Sequence, residues 1–571
     1  MKEFPQFNVL APVLGKLFSL LNRRHRIYFC ILIILTIGFS LIETIGISAI
    51  MPFISLASEP NLVTGGWYKK AFDFCGFVKP ESFIIALGIA IIFFYFFRAI
   101  YSILLNYSMN RFSFAIYRRL SKTIFKTILS IPYKLFVQKN TAEQIRTIND
   151  ESGDVSKIIL NILQFCSEIF TILLIYAVIV ILNWKMTLVV TIILLIIVTV
   201  LLSVLTKISK AQGTKRLESG RRIYRILKET LGNVKFIKLK GNEEVILRGY
   251  DTATAIKARS EVMNHVVGSI PKGILESVGF SLLVGAVVFI IWSYQDTSRV
   301  IPIISMYALA LYRILPSVHR MLQNINSIAY LQKTLESVDE SLQQPVEDEG
   351  TAPLEFEHSI RLEDICFRYI TGGEVLGNIS FEINKGEKVA VTGESGGGKS
   401  TLVDIIIGIH KPVSGKIYID NTVLTDENIR SWRKKIGYIP QSIYLFDGTV
   451  AENVSFGSEP DEHRIIKALQ RANIWDFLSQ KEGIHTHVGD GGIQLSGGQQ
   501  QRIGIARALY DDPEILVLDE ATSALDSETE KKIMEEIYSV SENKTLIVIA
   551  HRLSTVERCD RKIRLENGRI T

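Results

Sequence analysis

The chain has 571 residues, of which 48% are apolar, and its formal net charge is only +6. This length allows several domains, and the positive mean hydropathy of +0.25 indicates a membrane protein with a soluble part rather than a purely soluble one. The five cysteines show no CxxC spacing, which argues against a disulfide framework and against a cysteine metal site.

Six apolar stretches reach the length of about 20 residues that a bilayer-spanning helix needs. They are Ile27–Ser55, Phe83–Leu105, Ile158–Leu182, Met186–Leu205, Val266–Trp292 and Val300–Leu322. The last two are interrupted by polar residues. The first stretch is too long for a cleavable signal peptide, so we expect it to be retained as a span.

Basic residues predict the orientation of these spans. Arg23, Arg24 and Arg26 precede the first span, and the long segments after the second and fourth spans are rich in Lys and Arg. The segments that connect the spans on the other side of the membrane are short or poor in basic residues. The positive-inside rule therefore places both termini in the cytoplasm.

The two long segments between spans, Asn106–Asp154 and Thr206–His265, both have the pattern of helix, turn and helix. Each is longer than a simple loop requires, so we expect helices that continue the spans into the cytoplasm. Their tips, near Val137–Glu143 and Leu231–Leu239, are expected to press on the soluble domain. The alternative is an independent soluble helical hairpin.

Four basic residues fall within the predicted spans: Arg98, Lys272, Arg313 and Arg320. At ~1.5 Å per residue they lie about 20 to 32 Å from the outer ends of their spans. Charges at such depth usually face a cavity or a partner, and a ring of cations there would suit a lipid that carries phosphate or pyrophosphate. Alternatively, they reach the interface or pair with acids inside the bundle, namely Glu43, Glu168 or Glu276.

Gln343–Pro353 is acidic, contains proline and lacks apolar periodicity, so it is predicted to be a linker. The expected domains are therefore a transmembrane domain at 1–342, a linker at 343–353 and a soluble domain at 354–571.

The soluble domain contains the phosphate-binding pattern G-x-x-x-x-G-K-[ST] between a predicted strand and a predicted helix, the context that the pattern requires. Its glycines let backbone N–H groups surround a β-phosphate, and Lys399 supplies charge to the β- and γ-phosphates. Ser400 or Thr401 offers a hydroxyl to Mg²⁺. The predicted ATP-binding residues of this loop are Gly393, Glu394, Ser395, Gly396, Gly397, Gly398, Lys399, Ser400 and Thr401.

A second run, Ile515–Glu520, is predicted to be a buried strand that ends beside the phosphate loop. Asp519 is expected on the Mg²⁺ side, and Glu520 is expected to polarise the attacking water. His551 follows another apolar strand, where a contact to the γ-phosphate would be needed. The alternative, in which both acids are solvated strand ends, does not explain this third position.

The run LSGGQ at Leu495–Gln499, followed by LDEATSALD at Leu518–Asp526, resembles the nucleotide-binding domain of ABC transporters. The resemblance extends from about Arg361 to the C-terminus and implies a homodimer. In that dimer Ser496, Gly497 and Gly498 of one copy would cap the γ-phosphate bound by Lys399 of the other. A helix that begins at these residues would attract an anion to its N-terminal N–H groups.

The same resemblance implies further site residues. Tyr369 stands where the family stacks an aromatic ring on adenine, although a half-buried strand tyrosine is the alternative. Gln441 stands where the family links Mg²⁺ and water to the membrane domain, Gln499 completes the signature, and Asp526 lies at the subunit junction. The expected metal ligands are Ser400, Gln441 and Asp519.

The complete chain thus resembles an exporter-type (type IV) half-transporter. The implied fold is an all-α polytopic membrane domain, with six transmembrane helices and long cytoplasmic extensions, plus an α/β P-loop ABC nucleotide-binding domain. The implied cofactors are ATP and Mg²⁺. The implied location is the bacterial inner membrane, with the nucleotide-binding domain in the cytoplasm.

Runs in both domains are similar to the PglK-type family of lipid-linked oligosaccharide flippases: LIETIGISAIMPFISLAS (Leu41–Ser58), FRA (Phe97–Ala99), KFIKLK (Lys235–Lys240), ALALYRILPSVHR (Ala308–Arg320) and VGDGG (Val488–Gly492). The similarity implies transport of a polyprenyl-diphosphate-linked glycan from the inner to the outer leaflet. Arg98, Lys272, Arg313 and Arg320 would line its cavity, with Lys272 standing where arginine is expected.

The external segment Pro60–Pro80 resembles a small outward helix of that family, or it is an interfacial loop. Membrane lipids are expected partners, and nucleic acid is not. The alternatives on the same scaffold are a lipid A-type or multidrug ABC exporter. An alternative of another class is an ATP-gated channel or regulatory ATPase.

Overall fold

The computed structural model describes residues 7–58, 60–182, 184–293, 300–370, 372–519, 527–550 and 556–571. The chain forms two compact units. The first combines the chain up to Leu129 with Lys139–Gln344, and the second combines Ser130–Gln138 with Pro345–Thr571.

The helices up to Leu342 are α1 (Phe7–Leu20), α2 (Arg23–Ser58), α3 (Gly66–Phe74), α4 (Pro80–Leu129), α5 (Tyr133–Phe136), α6 (Thr141–Arg146), α7 (Ser152–Leu182), α8 (Trp184–Leu231), α9 (Val234–Lys240), α10 (Glu243–Ser293) and α11 (Val300–Leu342). All except α5 belong to the first unit. A 3₁₀ helix at Pro60–Thr64 and α3 occupy the predicted external segment, and a π-helical turn at Thr147–Glu151 precedes α7.

Five helices are long and apolar enough to cross a membrane, judged by length and composition over the described residues: Arg23–Ala57, Pro80–Leu129, Thr141–Val180, Thr191–Leu231 and Glu243–Gly285. They contain or overlap the first five predicted spans. The sixth predicted span forms the first half of α11 and stays a prediction as a span.

The helices continue well beyond the apolar stretches, as predicted. Helix α4 has 50 residues and α10 has 51, so each is about 75 Å long, against a hydrocarbon core of about 30 Å. The extensions are continuous with the spans, which excludes an independent soluble hairpin. Close packing holds them together: a Cβ at Gly213 of α8 would lie 1.8 Å from the carbonyl oxygen of Tyr330 in α11, so only glycine allows this approach.

The second unit is α/β. Its strands are β1 (Ser359–Arg368), β2 (Glu374–Asn384), β3 (Lys388–Gly393), β4 (Ser414–Ile419), β5 (Thr422–Val423), β6 (Ile436–Ile439), β7 (Ile515–Asp519), β8 (Thr545–Ile549), β9 (Arg561–Glu566) and β10 (Arg569–Ile570). Its helices after α5 are α12 (Lys399–Ile406), α13 (Ile429–Arg433), α14 (Val450–Ser455), α15 (Glu462–Arg471), α16 (Trp475–Ser479), α17 (Gly497–Leu509) and α18 (Ser527–Val540).

Two sheets organise this unit. One is antiparallel with the order β2-β1-β4-β5, and the other has the order β10-β9-β3-β8-β7-β6. In the second sheet β9, β3, β8, β7 and β6 run parallel. The carboxyl ends of parallel strands meet at one sheet edge, where α/β proteins bind ligands. The phosphate loop after β3, Asp519 at the end of β7 and the residues after β6 therefore lie together.

The segment 130–138 belongs to this α/β unit. The Glu347 N–H donates to the Ser130 carbonyl at 2.7 Å, and the ring of Tyr133 in α5 lies 5.5 Å from the ring of His410. The first predicted tip, Val137–Glu143, thus begins in the α/β unit. The second tip is α9, which belongs to the first unit.

Candidate nucleotide site and intramembrane charges

The phosphate loop joins β3 to α12 in a conformation that depends on glycine. Gly393 has a φ of 142°, and a Cβ there would lie 2.1 Å from the Leu565 carbonyl oxygen of β9. Gly398, at the N-terminus of α12, has a φ of 94°. The loop folds around the buried Lys399, whose Nζ donates to the carbonyls of Gly393 at 3.1 Å and Glu394 at 2.8 Å.

The two hydroxyls after Lys399 face different neighbours. Ser400 Oγ donates to Asp519 Oδ1 at 3.4 Å, which joins the phosphate loop to the end of β7. Thr401 Oγ1 lies 3.0 Å from the hydroxyl of Tyr369. Of the two candidates for the Mg²⁺ side, Ser400 is therefore the one beside the carboxylate.

These groups fit Mg²⁺. Magnesium prefers hard oxygen ligands such as carboxylates and hydroxyls, and Ser400 and Asp519 bring both to one place. Gln441 follows β6 at the same sheet edge, and its side chain is exposed.

Tyr438 is a site residue that the sequence analysis missed. Its hydroxyl donates to Asp519 Oδ2 at 3.1 Å, from a position on β6 that pairs with Val517 of β7. Burial, helped by the Asp519 charge and hydrogen bond, raises the pKa of Tyr438, which keeps the phenol protonated as a donor. The sequence feature that could have identified Tyr438 is its position three residues before Gln441.

Asp404 was missed as well, although it lies one turn after Ser400 on α12. Burial, together with the charge of Asp519, raises the pKa of Asp404 to about 6. Its Oδ2 lies 4.0 Å from Nε2 of the buried His410. Burial, and then the charge of Lys134, lowers the pKa of His410, which favours a neutral imidazole.

Tyr369 packs edge-on against two rings. Its ring centroid lies 5.1 Å from Phe367 and 5.6 Å from His410, and its exposure is intermediate. The hydrogen bond to Thr401 holds it beside the phosphate loop. Stacking of Tyr369 on adenine stays a prediction.

The signature run forms the start of α17. Ser496 is the N-cap: its Oγ accepts from the Gln499 N–H at 3.4 Å, and Gln499 Oε1 accepts from the Ser496 N–H at 2.9 Å. This capping box gives both residues a structural role and leaves the first N–H groups of α17, including those of Gly497 and Gly498, at the positive end of a 13-residue helix.

Three predicted residues, Glu520, Asp526 and His551, lie outside the described residues. The described chain reaches Asp519 at the end of β7 and Ala550 directly after β8. The roles assigned to Glu520, Asp526 and His551 stay predictions.

In the first unit, two of the four intramembrane cations are paired. Arg98 of α4 forms an ion pair with the buried Glu43 of α2. Arg320 of α11 forms a bidentate pair with Glu168 of α7, at 2.5 and 3.1 Å. Pairing inside the bundle, the alternative interpretation of the sequence, therefore describes Arg98 and Arg320.

The other two cations differ. Lys272 is exposed on α10 and, among the described residues, has no ion-pair partner within 4.0 Å. The same holds for the exposed Glu276, which was a candidate partner. Arg313 lies on α11, with its side chain outside the described set.

Comparisons with known proteins agree with this architecture. A family model described as the ABC transporter transmembrane region matches residues 26–314, and one described as ABC transporter matches residues 376–523. The ATP-dependent lipid A-core flippase of Paraburkholderia xenovorans (strain LB400) is 31% identical over 76% of this chain and 74% of its own length. That of Burkholderia pseudomallei (strain 1710b) is 30% identical over 82% and 79%.

More distant similarity extends over the same architecture. The heterocyst differentiation ATP-binding protein HepA of Nostoc sp. (strain PCC 7120 / SAG 25.82 / UTEX 2576) is 29% identical over 79% of this chain and 75% of its own. A solved structure of a bacterial Atm1-family ABC exporter with ATP bound superposes with a TM-score of 0.79 at 22% identity. It covers 96% of this chain and 94% of the solved one, which shows the shared fold.

Proposed function

Because this chain belongs to the ABC transporter family and is an ATP-driven exporter, we propose that it flips a polyprenyl-diphosphate-linked oligosaccharide from the inner to the outer leaflet of the bacterial inner membrane. ATP binding and hydrolysis by its nucleotide-binding domain are coupled to this movement.

The observation that carries the proposal is the pair of arginines at membrane depth. Arg98 and Arg320 stand on two different spanning helices, and their side chains are 30% and 41% exposed although each is paired with an acid. A guanidinium is the side chain best suited to bidentate binding of a phosphate. Charges in a membrane are retained where a pathway or a ligand needs them.

A lipid A-type lipid is the second candidate, favoured by the two relatives named lipid A-core flippases. Both candidates combine phosphate, sugar and hydrocarbon, so both would use the arginines. An exporter of apolar drugs would tolerate neutral residues at Arg98 and Arg320.

In the proposed mechanism two copies of the chain form a homodimer with two composite ATP sites. Lys399 of one copy binds the β- and γ-phosphates, and the N-terminus of α17 of the other copy, from Ser496 to Gly498, closes over the γ-phosphate. Within its described residues, each chain supplies one phosphate loop and one signature helix, which supports this pairing.

Hydrolysis is assigned to residues around the γ-phosphate. Glu520 orients the attacking water, and His551 contacts the γ-phosphate. Mg²⁺, when bound, offsets the negative charge of the phosphates, and Ser400, Gln441 and Asp519 would hold it. Loss of the γ-phosphate contacts releases the closed dimer.

The test places the protein in vesicles with a radiolabelled glycan on polyprenyl diphosphate, and adds a glycosidase outside. We expect ATP-dependent access of the glycosidase, and its loss in Arg98→Gln and Arg320→Gln. Arg248→Gln, at an exposed pair on α10, is the matched control. Active hydrolysis without access would refute the proposal, and ATP-dependent movement of a labelled lipid A-core lipid instead would establish the second candidate.

A further inference from the structure

An apolar groove with a volume of 280 Å³ runs between α7, α8 and α11 in the first unit. It lies within helices that are apolar enough to span the membrane on the α7 and α8 sides. Its walls include Ile169, Leu173, Thr191, Leu195, Ile314 and Val318.

The groove has few polar groups that could bind water. The hydroxyls of Thr187 and Thr191 donate to the backbone carbonyls of Ile179, at 3.4 Å, and Thr187, at 2.7 Å. Apart from these and Tyr176, every lining residue is aliphatic or methionine. A buried water needs two to four polar partners, so the occupant of this groove is apolar.

A charge pair lies beside one end of the groove. Ile169 and Met321 line this end, and Glu168 and Arg320 directly precede them on the same two helices. Arg320 also donates to Ser317 Oγ at 3.3 Å. A ligand that follows the groove to this end therefore reaches the depth of the Arg320 guanidinium.

The groove has a direction in the membrane. With both termini in the cytoplasm, Glu168 lies ~21 Å from the outer end of α7 at Leu182, in the inner half of a core of about 30 Å. Ile179 and Thr187 line the opposite end, ~15 Å closer to the outer surface. The charge pair is thus at the inner end and the apolar walls extend outward.

We propose that this groove is the loading site for the hydrocarbon tail of an anionic lipid, whose phosphate replaces Glu168 as the partner of Arg320. A lipid in the inner leaflet has its phosphate at the cytoplasmic side and its tail directed towards the midplane, which matches the groove. A lipid in the outer leaflet has the opposite direction and does not fit, so the tail leaves the groove when the lipid is flipped.

Glu168 has a defined part in this exchange. Before loading, it neutralises Arg320 and limits the free energy of holding a charge in the membrane. A phosphate then competes with it for the same guanidinium, so neutral lipids fail to open the pair. Identification of the tail as polyprenyl rests on the proposed function; the groove, its direction and its anionic preference do not.

The first experiment fills the groove. Leu195→Trp from α8, and Leu173→Trp from the opposite wall on α7, place a large ring in the space of the tail, and both residues are more than half exposed, so the fold tolerates the ring. The control is Ile192→Trp, at an exposed position of α8 that does not line the groove. Binding of a long-chain polyprenyl diphosphate and of farnesyl diphosphate is measured by native mass spectrometry. We expect both groove variants to weaken the long-chain lipid about tenfold and farnesyl diphosphate less.

The second experiment removes the charge of the acid that pairs with Arg320. Glu168→Gln removes the competing charge and should tighten binding of either diphosphate about threefold or more, without changing binding of a neutral polyprenol. Glu244→Gln, an exposed acid near the start of α10, is the control.

The outcomes separate the two proposals. If the natural protein fails to flip the labelled oligosaccharide lipid but loses long-chain binding in both tryptophan variants, the proposed function fails and the groove stands. If flipping occurs but both folded tryptophan variants bind the long-chain lipid as tightly as the control does, the groove is refuted. Failure of the natural protein to bind any polyprenyl diphosphate refutes the polyprenyl tail and, with it, the proposed function.

Discussion

Asp519 is held by hydroxyl donors from two different elements. Ser400 at the start of α12 donates to Oδ1, and Tyr438 on β6 donates to Oδ2. Both oxygens of the carboxylate are thereby oriented for the proposed Mg²⁺ ion. Loss of a group that orients a metal ligand typically lowers metal affinity or activity roughly 10- to 100-fold.

Tyr438→Phe tests this orientation. The change removes one hydroxyl and leaves the ring, so we expect the Mg²⁺ concentration for half-maximal ATPase activity to rise about tenfold. ATPase rates are measured over a range of Mg²⁺ concentrations. Tyr444→Phe, which removes an exposed hydroxyl 3.5 Å from Asp490, should leave the curve unchanged. An unaltered Mg²⁺ requirement in Tyr438→Phe would exclude the positioning role.

Asp404 makes the stability of the α/β unit depend on pH. Its pKa is raised to about 6 from an ordinary value of 3.8, so its favourable contribution is full below the ordinary value and is lost as the pH rises through about 6. We expect Asp404→Asn to unfold a few degrees higher than the natural protein near pH 7.5, and at nearly the same temperature near pH 4. Equal shifts at both pH values would contradict this origin.

Asp512 is the control of opposite sign for the same measurement. Hydrogen bonds from Arg471 and Lys544 lower the pKa of Asp512 to about 2. Its contribution is present above its ordinary pKa and is lost only in more acidic solution. Asp512→Asn should therefore lower the unfolding temperature at both pH values.

At the scale of elements, the strands and helices that carry the phosphate loop and the signature follow from local patterns. The glycine run between strand and helix determines the turn, and Ser496 with Gln499 forms a capping box that the sequence spacing permits. The extensions of the helices beyond the spans could be predicted because no breaker interrupts the helical pattern. The five spans in α2, α4, α7, α8 and α10 follow from apolar length alone.

Pairings between distant elements could not be predicted in the same way. Glu43 and Arg98 are separated by 55 residues, and Glu168 and Arg320 by 152, so only the packing of the helices decides which acid meets which arginine. Tyr438 and Asp404 likewise become site residues through the neighbouring strand β7. Local spacing places such residues on an element, and the tertiary fold selects their partners.

Gly213 tests the packing of α8 against α11. Gly213→Ala inserts a methyl group where the Tyr330 carbonyl lies, so the helices must separate. Overpacking of this kind costs about 1 to 3 kcal/mol. We expect a lower thermal unfolding temperature in detergent solution. Gly249→Ala, on α10 with open space around the position, should be neutral or slightly stabilising because alanine favours a helix. Equal behaviour of the two variants would show that the helices adjust freely.

At the scale of the whole molecule, the proposed composite sites require two copies of the chain. A phosphate loop and the N-terminus of a signature helix occur once each in the described chain, at the starts of α12 and α17. A head-to-tail pair of identical chains forms two equivalent sites, each with one loop and one signature, and closes without leaving an unpaired surface.

Two variants that are each inactive alone should therefore regain ATPase activity when they are combined in one dimer. Lys399→Ala removes phosphate binding, and Ser496→Arg blocks the N-terminus of α17, so each variant alone should lack ATPase activity. In a mixed dimer, Lys399 of one chain meets Ser496 of the other and one intact site forms. After co-expression, dimers that carry both tags are all mixed, and they should show roughly half of the natural ATPase rate because each has one of two sites. The rate is measured on purified protein that carries both affinity tags, with each variant alone as the control. If ATP were bound and hydrolysed within a single copy, neither chain would contain a complete site and the mixture would stay inactive.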